Sequence, residues 1–184
     1  ERGELSSEEL GFESDYVLEE GVKLPKPYLE VSTKFEAFDR LLDREEALKI
    51  SNLSDEEFDK ILDIVLKVDE IIDREARLRG LIHVDGKKEF ALGANREPVL
   101  VDSFGTLDED RWWDAEAYEN GEIVQLSKEF VRQHYIEIGH QPVLYAARKS
   151  GLEDPAIPAL NDDVINRTAE LYADMFERLT GNKF

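Results

Sequence analysis

Cysteine is absent from the 184 residues, which excludes disulfides and thiolate metal sites. No apolar run reaches about eighteen residues, so no membrane-spanning helix is expected. No apolar segment behind a basic start marks a secretory signal. Histidine is scarce, and His83, His134 and His140 form no His-x-x-x-His pair of the kind that holds zinc. Also missing are a G-x-x-x-x-G-K-[ST] phosphate loop, a G-x-S-x-G elbow and a G-x-G-x-x-G turn. Positive charge is short as well, with 23 Lys and Arg against 43 Asp and Glu and a net charge of −20. That balance argues against a nucleic-acid partner, because phosphate backbones demand clustered cations. An anionic substrate would need a locally basic pocket. A soluble, cytoplasmic protein is the expectation that these absences leave.

Apolar residues make up 41% of the chain, enough to build a core despite the many charges. The length suits one domain or a piece of a larger one. Residues 1–23 are acidic, start on Glu rather than Met and open without an obvious element, so a truncated start is expected there. Residues 24–184 carry the periodic pattern. Alternation from Tyr28 to Thr33 predicts a strand ending at Lys34. A short helix is expected over Glu45 to Ile50. Ser54 and Glu57 then form a capping box, and Phe58, Ile61, Leu62, Val65, Val68, Ile71, Ile72 and Ala76 follow at helical spacing until Gly80 stops them.

After Gly80 the period changes to two. Strands are predicted over Leu81–Val84, Lys87–Leu92 and Val99–Phe104, with a turn or bulge at Asp85-Gly86, a loop over Gly93–Pro98 and a turn over Gly105–Asp110. Trp112 and Trp113 follow that turn. Further helices are expected from a Ser127 cap to Gly139, over Val143–Lys149, and from an Asn161 cap to Gly181 with Val164, Ile165, Thr168, Tyr172, Met175, Phe176 and Leu179 inward. A run of strands followed by a run of helices supports an α+β fold.

The chemistry gathers between Leu81 and Trp113. Residues two apart on a strand share a face, so Lys87 and Glu89 project together while Lys88, Phe90 and Leu92 face the other way. Asp102 falls on a face with Leu100 and Phe104, where a carboxylate needs a partner. Two readings stand. Glu89 and Asp102 from adjacent strands would suit Mg²⁺, which takes one or two carboxylates and completes its shell with water and substrate phosphates. A cross-strand ion pair of Lys87 with Asp102 or Glu89 would be structural only. Arg111, beside two tryptophans, suits bidentate recognition of phosphate or carboxylate, or pairs with Asp108 or Glu109 at the surface. Lys128 and Arg132 share a helix face, for an anion or for solvent.

Several motifs in order resemble the phosphoribosylaminoimidazole-succinocarboxamide synthase (SAICAR synthetase) family, from about Leu24 to the C-terminus. Its Asp-x-Lys-x-Glu-Phe-Gly pattern appears as Asp85, Lys87, Glu89 and Phe90, with Ala91 in place of glycine. Its acidic strand appears as Val99-Leu100-Val101-Asp102. Its Thr-Pro-Asp-x-x-Arg-x-Trp turn appears as Thr106, Leu107, Asp108, Arg111 and Trp113, with Leu107 for proline. Its Asp-Lys-x-x-x-Arg helix start appears as Ser127, Lys128 and Arg132. Upstream, Ser32-Thr33-Lys34 resembles the family's Ser-Thr-Lys, and Asp39 falls near its His-Asp pair, with Phe38 in place of histidine. The closing Glu-Arg-Leu-Thr-Gly is also typical.

The resemblance implies an antiparallel sheet flanked by helices, related to ATP-grasp enzymes, with residues 24–184 as the C-terminal ligase domain. It implies ATP-dependent joining of L-aspartate to carboxyaminoimidazole ribonucleotide in purine biosynthesis, with ATP and Mg²⁺ as cofactors. Lys87, Glu89 and Asp102 would be catalytic, Glu89 and Asp102 holding the metal. Lys34, Asp39, Asp85, Lys87, Arg111, Lys128 and Arg132 would bind substrate. The family's N-terminal lobe, with its Gly-rich nucleotide loop and Ser/Arg phosphate motif, is not found in these residues, and is expected as a separate or cleaved part without which this chain is inactive. A homo-oligomer is left open. The other class is a non-catalytic nucleotide-binding or assembly module that kept the fold, though such a scaffold needs none of Lys87, Glu89, Asp102 and Arg111.

The surplus of acid has two explanations, a well-solvated surface or adaptation to high salt that screens self-repulsion. A melting curve against KCl separates them: the first predicts a flat response, the second a melting temperature that rises with salt.

Overall fold

The computed structural model describes residues 5–34, 36 and 40–184. In chain order its elements are β1 (Val31–Ser32), β2 (Leu41–Leu42), α1 (Arg44–Ser51), α2 (Asp55–Arg77), β3 (Leu81–Gly86) and β4 (Glu89–Leu92). There follow β5 (Pro98–Val101), β6 (Asp110–Asp114), α3 (Ala115–Glu119), α4 (Glu129–Glu137), α5 (His140–Lys149) and α6 (Asp162–Thr180). Two units result, one from the residues before Glu70 with Phe90–Val101, the other from Glu70–Glu89 with Asp102–Phe184.

The first unit is held by local caps and arginine clamps. Asp43 caps α1 by accepting the Glu46 N–H at 2.8 Å. The predicted capping box opens α2: Glu57 accepts the Ser54 N–H at 2.8 Å, and Ser54 Oγ accepts the Glu57 N–H at 3.2 Å. These bonds satisfy amides that no helical carbonyl can reach. Arg44 pairs with Asp55 at 2.8 Å and Asp59 at 2.6 Å while its guanidinium lies over the buried Phe58 ring. β1 and β2 pair antiparallel, with Val31 opposite Leu42. β4 and β5 form another ladder, and Arg96 in the loop joining them reaches Glu57 at 2.6 Å.

The second unit is organised by the antiparallel pair β3–β6, in which Leu81 faces Asp114, Ile82 faces Trp113 and His83 faces Trp112. Leu81, Trp112, Ala76 and Met175 are all but inaccessible, and with Leu107 and Leu126 they form its core. α6 supplies Met175 from the stripe predicted for it. Its start is capped by Asn161, which accepts the Val164 N–H at 2.9 Å, and its end by Gly181 at φ 74°. Near that end Arg178 donates to the Gly80 carbonyl at 2.9 Å and pairs with Asp114 at 3.2 Å. That carbonyl, beyond the end of α2, also accepts the Ala115 N–H at 3.0 Å.

The expected antiparallel sheet flanked by helices is present as three two-stranded ladders among the described residues. Several boundaries differ from the alternation pattern. The strand expected over Tyr28–Thr33 is only Val31–Ser32. The strand expected over Val99–Phe104 ends at Val101, because Asp102 adopts φ 69°, a left-handed conformation that does not continue a strand. Asp110-Arg111-Trp112-Trp113-Asp114, expected as the end of a turn and an aromatic pair, is strand β6. Lys128, not Ser127, stands at the head of α4, although buried Ser127 accepts the Glu129 N–H at 3.3 Å. Ile165 and Phe176, expected inward, are exposed.

Met175→Ala is expected to lower stability by roughly 2–5 kcal/mol through the cavity it leaves, and Ser54→Ala by about 1 kcal/mol through the lost cap. Urea denaturation reads both. A Met175→Ala cost below that of Ser54→Ala would remove Met175 from the centre of the core.

Candidate functional site

The β3–β6 ladder is irregular between His83 and Asp85, where one residue of β3 is left over. Such a bulge twists the strand and re-aims the side chains beyond it. Asp85 thereby stands opposite Arg111. Arg111 Nε donates to Asp85 Oδ1 at 2.8 Å, and its Nη2 donates to the other carboxylate oxygen. This is the bidentate geometry of a strong pair, and the Asp85 hydrogen bonds raise the Arg111 pKa above its ordinary value. The expected surface partners of Arg111 are not used. Asp108 instead accepts the Tyr172 hydroxyl proton at 2.7 Å, and burial together with that bond pushes Tyr172 up to about 12.

One residue before Arg111, the chain buries a carboxylate. Asp110 is 1% exposed. Its Oδ1 accepts from His83 Nε2 and from Lys88 Nζ, each at 2.8 Å. Its Oδ2 accepts the Gly105 N–H. An ionised carboxylate only accepts, so the proton on the facing His83 nitrogen belongs to the ring. Burial pushes the Asp110 carboxyl up, but the His83 and Lys88 hydrogen bonds outweigh it and hold the group below its ordinary value. Gly86 makes the arrangement sterically feasible: a Cβ there would overlap the Asp110 carboxylate and crowd Lys88 Nζ.

Lys87 and Glu89 project together as expected, paired at 2.7 Å with Glu89 largely covered. Lys87 precedes β4 rather than lying in it. Asp102, expected on a strand face with Leu100 and Phe104, is an exposed residue beyond the end of β5 whose Oδ1 accepts the Ser103 N–H at 2.8 Å. At the head of α4 buried Glu129 pairs with Arg132 and accepts from Gln133 Nε2 at 2.9 Å. Glu129 also acts on Arg111 through its charge, so one carboxylate serves two candidate anion-binding arginines. Lys128 is exposed beside it. Lys34 is exposed in the first unit, and Asp39 lies outside the described residues. Among the described residues no group of three or more His, Asp or Glu is arranged to hold a metal by itself.

Residues 3–143 match the family model described as SAICAR synthetase. The chain belongs to the SAICAR synthetase family. A phosphoribosylaminoimidazole-succinocarboxamide synthase of Thermoplasma acidophilum is 52% identical over 164 residues, covering 89% of this chain and 56% of that protein. One of Thermoplasma volcanium is 51% identical over 169 residues, covering 92% and 58%. A solved structure described as a SAICAR synthetase in complex with ADP superposes with a TM-score of 0.66 at 28% identity, over 91% of this chain and 56% of that one. The chain therefore spans a little over half the length of the SAICAR synthetases it matches.

The SAICAR synthetase motifs at Asp85, Lys87, Glu89 and Arg111 all lie in the second unit. Sequence reasoning did not find Asp110, His83 or Glu129 as site residues. For Asp110 one signal was present: alternation set Lys88 on a face with Phe90 and Leu92, and a lysine among apolar residues requires a counterion.

The pH dependence follows from the depressed Asp110 group. Its contribution to stability is complete above the ordinary carboxylate value of 3.8 and is lost as pH falls through its lower folded value. Replacing Lys88 by Met should cost roughly 3–5 kcal/mol, because it strips a buried carboxylate of its cation. Lys87→Met at the exposed pair should cost at most about 1 kcal/mol. Chemical denaturation at neutral pH compares the two, and equal losses would refute the distinction.

Proposed function

We propose that this chain provides the substrate- and metal-bearing part of an ATP-dependent ligase that joins L-aspartate to carboxyaminoimidazole ribonucleotide, giving the succinocarboxamide SAICAR in purine biosynthesis. The observation that carries the reading is the clustering of Asp85–Arg111 and Lys87–Glu89 on neighbouring stretches of the second unit. Membership of the family, the names of its relatives and the ADP bound in one solved structure support it. Residues 24–184 form the ligase part. On this reading an N-terminal lobe with the family's nucleotide loop completes the site, on this chain or another, and the setting is cytoplasmic.

A carboxylate is a poor electrophile and its oxygen a poor leaving group. Moving the γ-phosphoryl group of ATP onto that oxygen breaks the bond to the β-phosphate, releases ADP and leaves an acyl phosphate. The aspartate amine then attacks the acyl carbon, phosphate departs with its oxygen, and the amine gives up a proton. Positioning and charge neutralisation dominate such phosphoryl transfers.

Glu89 and Asp102 fit Mg²⁺ in the chemistry of their donors, carboxylates of the kind that phosphates and water complete around the ion, and Asp102 is exposed. When bound, Mg²⁺ would neutralise phosphate charge. Lys87, paired with Glu89, would lend its ammonium to the ribonucleotide. Arg111 would meet the same anion; Asp85 takes its Nε and Nη2, so the guanidinium is already oriented, with Nη1 as the edge for the ligand. Lys128 and Arg132 would hold the aspartate carboxylates or a phosphate, with Glu129 fixing Arg132. Lys34 and Asp39 are assigned to substrate as well.

The complete protein, given ATP, Mg²⁺, L-aspartate and the ribonucleotide, is expected to form the succinocarboxamide with one ADP and one phosphate per turnover. Glu89→Ala with Asp102→Ala should lower the rate by at least about 100-fold, in line with loss of direct charge stabilisation, and abolish Mg²⁺-dependent ADP binding. Binding that survives both substitutions would sink the metal assignment, and absence of product with the unaltered protein would sink the ligase reading.

A further inference from the structure

Four segments of the second unit meet at the Asp110 carboxylate, and each carries a residue of the proposed site. His83 lies on β3 two residues before Asp85. Lys88 lies between Lys87 and Glu89. Gly105 lies three residues after Asp102, and Asp110 itself precedes Arg111. Oδ1 takes the His83 and Lys88 protons, and Oδ2 takes the Gly105 N–H. The three side chains are sealed from solvent, at 2%, 3% and 0% for His83, Lys88 and Asp110. The Asp102 segment has a second tie, since the Phe104 ring lies 5.8 Å from Lys88 Nζ.

We propose that Asp110 is a positioning residue, whose carboxylate fixes the Asp102 loop and the Lys87–Glu89 segment relative to the β3–β6 ladder. On the ligase reading, this places the two metal carboxylates, Glu89 and Asp102, in register with Arg111. A buried ion pair seldom adds net stability over apolar packing, so its stability alone does not account for a carboxylate, a lysine and a histidine beside Leu81 and Trp112. What the knot supplies is direction. Oδ1 ties β3 to the Lys88 segment, and Oδ2 ties the Gly105 end of the Asp102 loop, so each oxygen fixes a different stretch. Partners behind metal ligands commonly govern affinity in this way.

Asp110→Asn separates positioning from bulk stability. Its amide oxygen still accepts from His83 and Lys88, but its NH₂ then faces the Gly105 N–H, donor against donor. The Asp102 loop is released while the ladder stays paired. In the complete protein, amide hydrogen exchange of Gly105, whose N–H Asp110 accepts, should speed up about tenfold or more by local opening, with Ile82 and Trp113 nearly unchanged. The Mg²⁺ concentration for half-maximal ADP binding should rise about 10-fold or more, while KM for aspartate holds. Gly86→Ala keeps every hydrogen-bonding group but displaces the carboxylate, and should give the same signature; it decides the matter if Asp110→Asn does not fold. Uniform acceleration across the unit with unchanged Mg²⁺ dependence would show a merely structural group and overturn the proposal, as would unchanged exchange in the loop. An unaltered protein without ligase activity overturns the ligase reading alone, since exchange in the loop still judges Asp110.

Discussion

The second unit depends on one buried carboxylate and the three donors that surround it. Asp110 lies where the chain would otherwise continue the apolar contact of Leu81 and Trp112. In that low-dielectric setting an unpaired charge is untenable. The structure answers with a lysine, an imidazole and a backbone amide drawn from three separate segments. Each requirement constrains another. The carboxylate demands a glycine at position 86 for space, and the Asp102 loop must turn so that its Gly105 amide points inward. The ladder from Leu81 to Gly86 must carry its bulge to bring Asp85 against Arg111.

Charge outside that knot is arranged as pairs rather than as a basic patch. The chain carries far more acid than base, yet the arginines proposed to meet anions are not left to find partners at random. Arg111 is gripped by Asp85 and Arg132 by Glu129. A guanidinium held on one edge loses little further freedom when an anion arrives at another. The cost is competition, because the resident carboxylate must share its cation. An acidic protein can therefore present local cationic sites for an anionic substrate without a positive surface.

Much of this was legible in the sequence where the information is local. The Ser54 capping box, the stop at Gly80, the Asn161 cap and the Gly181 terminus follow from side chains within a turn of the backbone they serve. Lys87 and Glu89 pair as their spacing suggested, although Lys87 precedes β4 rather than lying in the strand. Asp102 shows where periodicity fails. Alternation continues its strand to Phe104, but the chain turns into a left-handed conformation at Asp102, and the Gly105 amide beyond it has a partner at Asp110. The acidic turn before the tryptophans conceals β6, since strand pairing with Leu81–Gly86 depends on residues far away in the sequence.

What the sequence by itself determined is the set of helices and caps, the strand period of the central stretch, and the family motifs that name the candidate charges. These are properties of neighbours along the chain. Which carboxylate would be buried, which arginine would be clamped by which acid, and where Asp102 would stand were decided only by the tertiary structure. The contacts of Asp110 with His83 and Lys88, and of Arg111 with Asp85, depend on desolvation and on the meeting of segments 22 or more residues apart, whereas the Glu129–Arg132 clamp lies within one helical turn. No periodicity encodes such a meeting, because burial is a property of the assembled unit rather than of any one residue.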